Sequence, residues 1–362
     1  MVAITTQLPH SNLRGLSSCP VRTTAILDRE MYGWYPGYWE YVKALNTITP
    51  ADGYDDWRAY LPRHIGYLQK PSNLQTLIRV LYNEKMEFPE PHIHLPQSSH
   101  THTFILLHGR GSNGPEFAEE LFSSITSKGP NLAACLPNWR WVFPTSRNCW
   151  SDRFQEEMCV WFDAYSLDDI HERQELQIAG LRESVTHILS ILNHEIEILG
   201  GKTSHVYLGG ISQGMATALW TLFCATSQIH QPLGGFVGFC GWLPFARQIE
   251  EQVQSSDALS EQLAQRSVTS FFLNTISGSG ASQTKETIDA SILSTPVFLS
   301  HGTDDAWVSV DLGRQAARVL QQIRIPVQWH EFAGAEEDGH WVKEPEGFDQ
   351  ILHFLEACSS HT

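Results

Sequence analysis

The stretch SHVYLGGISQGMATALW, residues 204–220, decides the fold. Its first half, 204–210, is an apolar run of strand length, and its second half continues as a helix expected over 213–226. Between them stands Gly210-Ile211-Ser212-Gln213-Gly214, a G-x-S-x-G set directly after a strand and directly before a helix. A nucleophile on so tight a turn sits in strained backbone, so its neighbours must be small, and Gly210 and Gly214 leave that room. The helix that follows aims its first N–H groups at developing negative charge. A serine that merely happens to lie in a glycine-rich turn is the bland alternative. It does not account for the strand and helix on either side.

Working outward, the rest of the chain from about residue 91 repeats this alternation. HTFILL (102–107) reads as a buried strand ending at His108-Gly109, and WRWVF (139–143) as a second one stopped by Pro144. A helix is expected between them, from about Pro115 to Thr126. A longer one is expected near Asp168–Leu199, where Leu181, Val185, Ile188, Leu189, Leu192, Ile196 and Leu199 fall on one face. Then come strand 234–239, strand 296–302, helix 311–323, strand 326–332 and helix 345–357. Apolar strands alternating with helices predict an α/β fold, a mostly parallel central sheet with helices on both faces. Residues 246–292, rich in Gln, Ser, Thr and Glu, break the rhythm and read as a surface excursion or lid.

The first 90 residues differ. Tyr32, Trp34, Tyr35, Tyr38, Trp39 and Tyr41 crowd together, and Gly33, Pro36 and Gly37 argue against one long helix there. LQTLIRVLY (74–82) fits a short helix or a strand equally. The expected organisation is an N-terminal extension, 1–90, followed by a catalytic domain, 91–362, that carries the polar insertion.

A serine hydroxyl needs a base, and the base needs an orienting carboxylate. On a strand–turn–helix nucleophile the chain order is Ser, then Asp or Glu, then His. PVFLSHGTDDAWV puts Asp304 and Asp305 just after a strand, and AGAEEDGHWV puts His340 in the loop after the last strand. Ser212, a carboxylate and His340 therefore lie at the C-terminal ends of three strands, where ligands of open parallel sheets gather. Spacing alone leaves Asp304 and Asp305 open, one to orient the imidazole and the other to cap the turn. Asp338 is too near His340 in sequence to approach its ring well.

After the first strand, His108-Gly109-Arg110-Gly111-Ser112-Asn113-Gly114 forms the loop that supplies a second oxyanion N–H in such enzymes. The expected donors are the Arg110 and Gln213 backbones. The same loop contains G-x-G-x-x-G (Gly109, Gly111, Gly114), which makes a dehydrogenase the rival enzyme class. That reading wants an acid at the end of the second strand, where Phe143-Pro144-Thr145 stands instead.

These pieces together resemble the phospholipase/carboxylesterase family that includes the acyl-protein thioesterases, within the α/β-hydrolase superfamily. The resemblance covers roughly 100–357 through FILLHGRGSNG, WFDAYS, GGISQGMATAL, GFCGWLP, PVFLSHGTDDAWV and GHWV, with the polar insertion as a gap. It implies the α/β-hydrolase fold and oxyanion donors at Arg110 and Gln213. Its HGxxD spacing falls on His301, Gly302 and Asp305, which favours Asp305 over Asp304. It also puts Trp161, Phe162 and Asp163 beside the substrate groove, an aromatic packing cluster being the other reading. Arg110 departs from the family's usual apolar residue; it either binds a substrate carboxylate or phosphate or reaches solvent.

Composition bounds the partners. A net charge of -16 repels phosphate backbones and anionic lipid, so nucleic acid is disfavoured. Seven cysteines without a CxxC pair suit free thiols in a reducing compartment. No stretch reaches the ~20 apolar residues of a membrane span, and the expected location is cytoplasmic. His92, His94, His100 and His102 have strand spacing, and no Cys or paired acid completes a metal set. The expected protein is a serine hydrolase of carboxylic esters or thioesters, small-molecule or acylated-protein, with neither metal nor organic cofactor. The same triad could instead pass the acyl group to an alcohol or amine, or the fold could serve as a non-catalytic binding module.

Overall fold

The computed structural model describes residues 3–5, 24–26, 88–151, 156–167, 169–254, 261–277 and 290–360. The chain divides into two compact units, Met1–Lys85 and Met86–Thr362. In the first, the described residues are an antiparallel pair, β1 (Ala3–Thr5) and β2 (Thr24–Ile26). The aromatic cluster at 32–41 and the segment 74–82 lie outside the described residues.

The second unit is built on a seven-stranded sheet of β3 (His92–His94), β4 (His102–Leu107), β5 (Trp139–Phe143), β8 (Val206–Ile211), β9 (Gly235–Phe239), β10 (Val297–Gly302) and β11 (Val327–Phe332). Their spatial order is β11-β10-β9-β8-β4-β5-β3. All neighbours are parallel except the edge strand β3, which runs antiparallel to β5. β4, β5, β8, β9 and β10 are almost wholly buried because helices cover both faces, as a parallel sheet requires. β8 lies at the centre, every residue buried, so Ser212 leaves the sheet at its middle.

Helices flank this sheet at the expected places. The first spans Gly114–Ser123 and starts where Asn113 caps it, its side chain accepting from the Glu116 amide. The long helix occupies Gln177–Ile198, shorter at its start than the pattern suggested, and it buries Leu181, Val185, Ile188, Leu189 and Leu192 as the periodicity required. Its buried Glu195 accepts from Arg140 Nε and Thr103 Oγ1, both at 3.1 Å, so charge and hydroxyl tie the helix to two strands. The remaining helices run Gln213–Cys224, Val310–Gln322 and Glu346–Ser359.

Two features go beyond the sequence reading. Residues Arg147–Ser151 (β6) and Glu156–Val160 (β7) form a separate antiparallel pair. The 246–292 segment is not only a surface excursion: it contains helices Ala246–Gln254 and Glu261–Ser277, which bury Ile249, Val268 and Phe272. Phe272 stacks on Phe223 with centroids 4.1 Å apart. The polar composition of this segment hid a narrow apolar face, which is all that an amphipathic helix needs for packing.

Candidate active site

Ser212 has φ 54 and ψ -122, a left-handed region that a residue with a Cβ enters only at a cost of about 1–3 kcal/mol. The turn is held by its neighbours. The Ser212 amide donates to Phe239 O (3.0 Å), and its carbonyl accepts from Ala216 N (3.1 Å) in the following helix. A Cβ at Gly214 would come within 2.2 Å of Leu107 O and 2.5 Å of His108 O, so only glycine lets the helix start this close to β4. A Cβ at Gly109 would lie 3.5 Å from Ser212 Cβ, which sets the His108–Gly111 loop directly beside the serine.

That loop is braced from below. His108 is fully buried and its Nε2 accepts from the Ser146 amide (3.0 Å), so the proton sits on Nδ1 and is donated to Gly109 O (2.7 Å). Burial pushes the His108 pKa down to about 4, outweighing the opposing pull of the Gly109 carbonyl. The Gly111 amide donates to Cys159 O in β7 (2.8 Å), so the antiparallel pair missed from the sequence anchors the loop. Arg110 is half-buried, and its Nη2 donates to Ala164 O.

Gln213 opens the helix after the serine, where the first N–H groups have no intrahelical acceptor. Its buried side chain clamps the 161–162 backbone: Oε1 accepts from Trp161 N (2.9 Å) and Nε2 donates to Phe162 O (2.8 Å). The expected groove residues therefore part company. Trp161 and Phe162 are 1% and 0% exposed, so neither lines an open groove. Trp161 Nε1 donates to His108 O (2.8 Å), and Phe162 packs edge-on against Trp242. They brace the Ser212 turn and the adjoining loop; Asp163 alone of the three is half-buried.

Asp304 and Asp305 make different contacts. Asp305 Oδ2 accepts from His340 Nδ1 at 2.8 Å, and its side chain is 0% exposed. Its Oδ1 accepts from the Trp307 and Val308 amides, both at 2.9 Å. Burial alone would raise the Asp305 pKa. Hydrogen bonds from His301 and His340, the His340 charge and the Val308 amide overcome that and hold the carboxyl well below the usual range. Asp304 is exposed and accepts instead from the Gly334 amide (2.7 Å), stapling a neighbouring loop. Asp338 meets Ala306 through its carbonyl (3.0 Å), which draws the turn carrying His340 against the turn carrying Asp305.

His340 reaches the serine's side of the site through Cys240. Phe239, whose carbonyl holds the Ser212 amide, precedes Cys240, and Cys240 Sγ lies 3.9 Å from Gly339 O and 3.8 Å from Trp341 O. Among the described residues no hydrogen bond joins Ser212 Oγ to the His340 ring. Bonds of this kind often tighten only when substrate arrives. Cys240 carried no signal in the sequence, because its place beside His340 depends on two strand ends meeting.

Cys240, Asp305 and His340 are the one group among the described residues whose potential metal-ligating atoms cluster, within 4.8 Å of one another. Their chemistry does not suit a cation. Burial raises the Cys240 pKa and keeps the thiol protonated, and Asp305 Oδ2 already accepts from two imidazoles. The four histidines at 92–102 are dispersed: His92 and His94 lie against Phe143 and Phe122, His100 pairs with Thr103, and His102 stacks between Trp139 and His205.

Comparison with known proteins bears on the fold and on what the chain is similar to. Residues 89–263 match the model of the phospholipase/carboxylesterase family. An acyl-protein thioesterase 1 from Yarrowia lipolytica is 26% identical over 68% of this chain and 89% of its own length. A probable carboxylesterase SOBER1-like protein from Arabidopsis thaliana is 28% identical over 72% of this chain and 79% of its own. The crystal structure of Zea mays acyl-protein thioesterase 2 shares the fold, with a TM-score of 0.51 and 24% identity over 74% of this chain and 98% of that one. With its strand–Ser212–helix turn, its mostly parallel sheet and these matches, the chain has the α/β-hydrolase fold and is similar to the phospholipase/carboxylesterase family.

Proposed function

We propose that the chain hydrolyses carboxylic esters or thioesters through an acyl-enzyme on Ser212. The observation that carries the reading is the His340 Nδ1–H bonded at 2.8 Å to the buried Asp305 carboxylate, on a loop that meets Cys240, the residue after Phe239, whose carbonyl holds the Ser212 amide. With Nδ1 holding its proton, the opposite nitrogen, Nε2, is left to accept the Ser212 proton as Oγ attacks the acyl carbon. Asp305 stabilises the imidazolium that results. The oxyanion is met by the backbone N–H groups of Arg110 and Gln213, whose loss one at a time would cost about 2.7–4 kcal/mol of barrier.

His340 then gives its proton to the departing alcohol or thiol, leaving acyl-Ser212. Water, deprotonated by the same imidazole, attacks the ester; the acid leaves and the proton returns to Ser212. Relatives named as acyl-protein thioesterases and a carboxylesterase support ester and thioester carbonyls as the substrate class, with acylated proteins included. Residues 91–362 carry this chemistry, and residues 1–90 are an extension to it. Among the described residues no helix is long and apolar enough to cross a membrane.

The test is a fluorophosphonate probe with peptide mapping, together with p-nitrophenyl butyrate turnover. Label on Ser212, lost with turnover in Ser212→Ala, is expected. Undiminished labelling and turnover in that variant would refute the assignment. Product analysis with added alcohols and amines separates hydrolysis from acyl transfer.

A further inference from the structure

Asp305 is shared by two histidines, and only one has a role so far. His301, at the end of β10, is 1% exposed at its side chain. Its Nε2 lies 2.9 Å from Val308 O and 3.2 Å from Asp305 Oδ2. A carbonyl and a carboxylate can only accept, so Nε2 must carry a proton. Nδ1 is buried with no hydrogen-bond partner among the described residues. It faces Gly313 of the helix Val310–Gln322, where an added Cβ would stand 2.4 Å away. A proton there would be a buried donor without an acceptor, so the ring is held neutral as the Nε2–H tautomer.

The surroundings agree. Across the sheet His301 is in register with Glu331, but that carboxylate is engaged by Arg314 through bonds of 2.7 and 2.8 Å. The Trp329 ring stands 6.4 Å away by centroids. Cys240, on the neighbouring strand end, is a neutral thiol. The titratable group in direct contact with His301 is therefore Asp305, with His340 beyond it on the same oxygen.

We propose that His301 is a positioning residue of the triad: its Nε2–H, shared between Val308 O and Asp305 Oδ2, fixes the carboxylate rotamer and competes with His340 for the same oxygen. The clip is two-sided, since Val308 also donates its amide to Asp305 Oδ1 (2.9 Å). Without this second donor Asp305 Oδ2 would be left to His340 alone. The imidazolium would be favoured, and the acidic limb of the rate profile would move to higher pH. The inference rests on the Ser212–His340–Asp305 reading.

The experiment compares the full chain with His301→Gln, whose amide nitrogen can stand near the lost Nε2–H, and with His301→Phe, which has no donor. kcat/KM for p-nitrophenyl butyrate falls about 10- to 100-fold in His301→Phe, with its acidic limb moved up in pH, and recovers in both respects in His301→Gln. An unmoved limb in His301→Phe, or equal losses in both variants, would make His301 a packing residue and overturn the proposal. If His301→Phe does not fold, 15N-histidine spectra of the unsubstituted chain decide. A signal absent from His301→Gln and protonated at Nε2 supports the proposal, and protonation at Nδ1 overturns it. Turnover surviving in Ser212→Ala would instead strike the catalytic reading, and the tautomer would still be measured independently.

Discussion

Replacing Asp305 with Asn tests the site most directly, because four donors converge on its two oxygens. Oδ1 receives the Trp307 and Val308 amides, and Oδ2 receives His340 Nδ1 and His301 Nε2. An amide offers one acceptor oxygen and one NH2 group. If its oxygen keeps the two backbone amides, the NH2 faces two imidazole N–H groups, and His340 escapes the clash by moving its proton to Nε2. That tautomer cannot accept from Ser212. If the amide is flipped, the NH2 confronts the Trp307 and Val308 amides; exposed Trp307 can turn to water, but the buried Val308 amide is left unsatisfied at about 1–3 kcal/mol.

The first arrangement is the one expected, since local tautomer exchange is cheaper than an orphaned amide and a disrupted turn. A wrong-tautomer change of this kind costs a serine-protease triad about 10⁴ in kcat, or about 5.4 kcal/mol at 1.36 kcal/mol per decade. The assay is p-nitrophenyl butyrate turnover at pH about 8, normalised by fluorophosphonate-reactive sites, with a melting curve to establish folding. Asp304→Asn is the control, because among the described residues its exposed side chain bonds the Gly334 amide alone, which an Asn oxygen can also hold. Asp305→Asn within tenfold of the unsubstituted protein, or Asp304→Asn falling as far, would refute the reasoning.

Other outcomes follow from the same contacts. Gln213→Ala removes the partners of Trp161 N and Phe162 O, and chemical denaturation should register a loss of about 2–5 kcal/mol. Phe272→Ala, in the segment that composition marked as a surface excursion, should cost about 3–5 kcal/mol; a change below about 0.5 kcal/mol would mean its helix does not pack as described. Acid should destabilise the fold early. His108 is held to about 4 against ~6.5 in the unfolded chain, so the unfolded state binds the extra proton and stability falls as pH drops from ~6.5 toward 4. Asp305 works in the same direction lower down: its depressed pKa contributes stability above the unfolded value of ~3.9 that is lost on further acidification. Melting temperature against pH should therefore flatten below about 4 in Asp305→Asn.

The sequence by itself determined the scaffold and where along it the candidate residues stand. Six apolar strand runs separated by helical patterns admit few arrangements other than a parallel sheet, since strands buried on both faces cannot alternate with water. Gly210 and Gly214 around Ser212 pointed to the tight turn because only backbone without Cβ fits against β4. The chain order of Ser212, an acid and His340 was readable for the same reason: each stands at a strand end.

What tertiary structure alone decided is which groups touch. Adjacent Asp304 and Asp305 are chemically identical, and only packing turns one toward His340 and leaves the other to hold Gly334. Trp161 and Phe162 appeared as groove residues because motif position says nothing about depth; the Gln213 side chain draws them into the core. The antiparallel pair β6–β7, Cys240 beside the His340 loop and His301 against Asp305 all depend on contacts between residues distant in sequence or turned together by a loop. Periodicity reports which face of one element is apolar. It carries no information on which two loops the sheet will bring together, because that depends on strand order, and strand order is fixed by long-range packing.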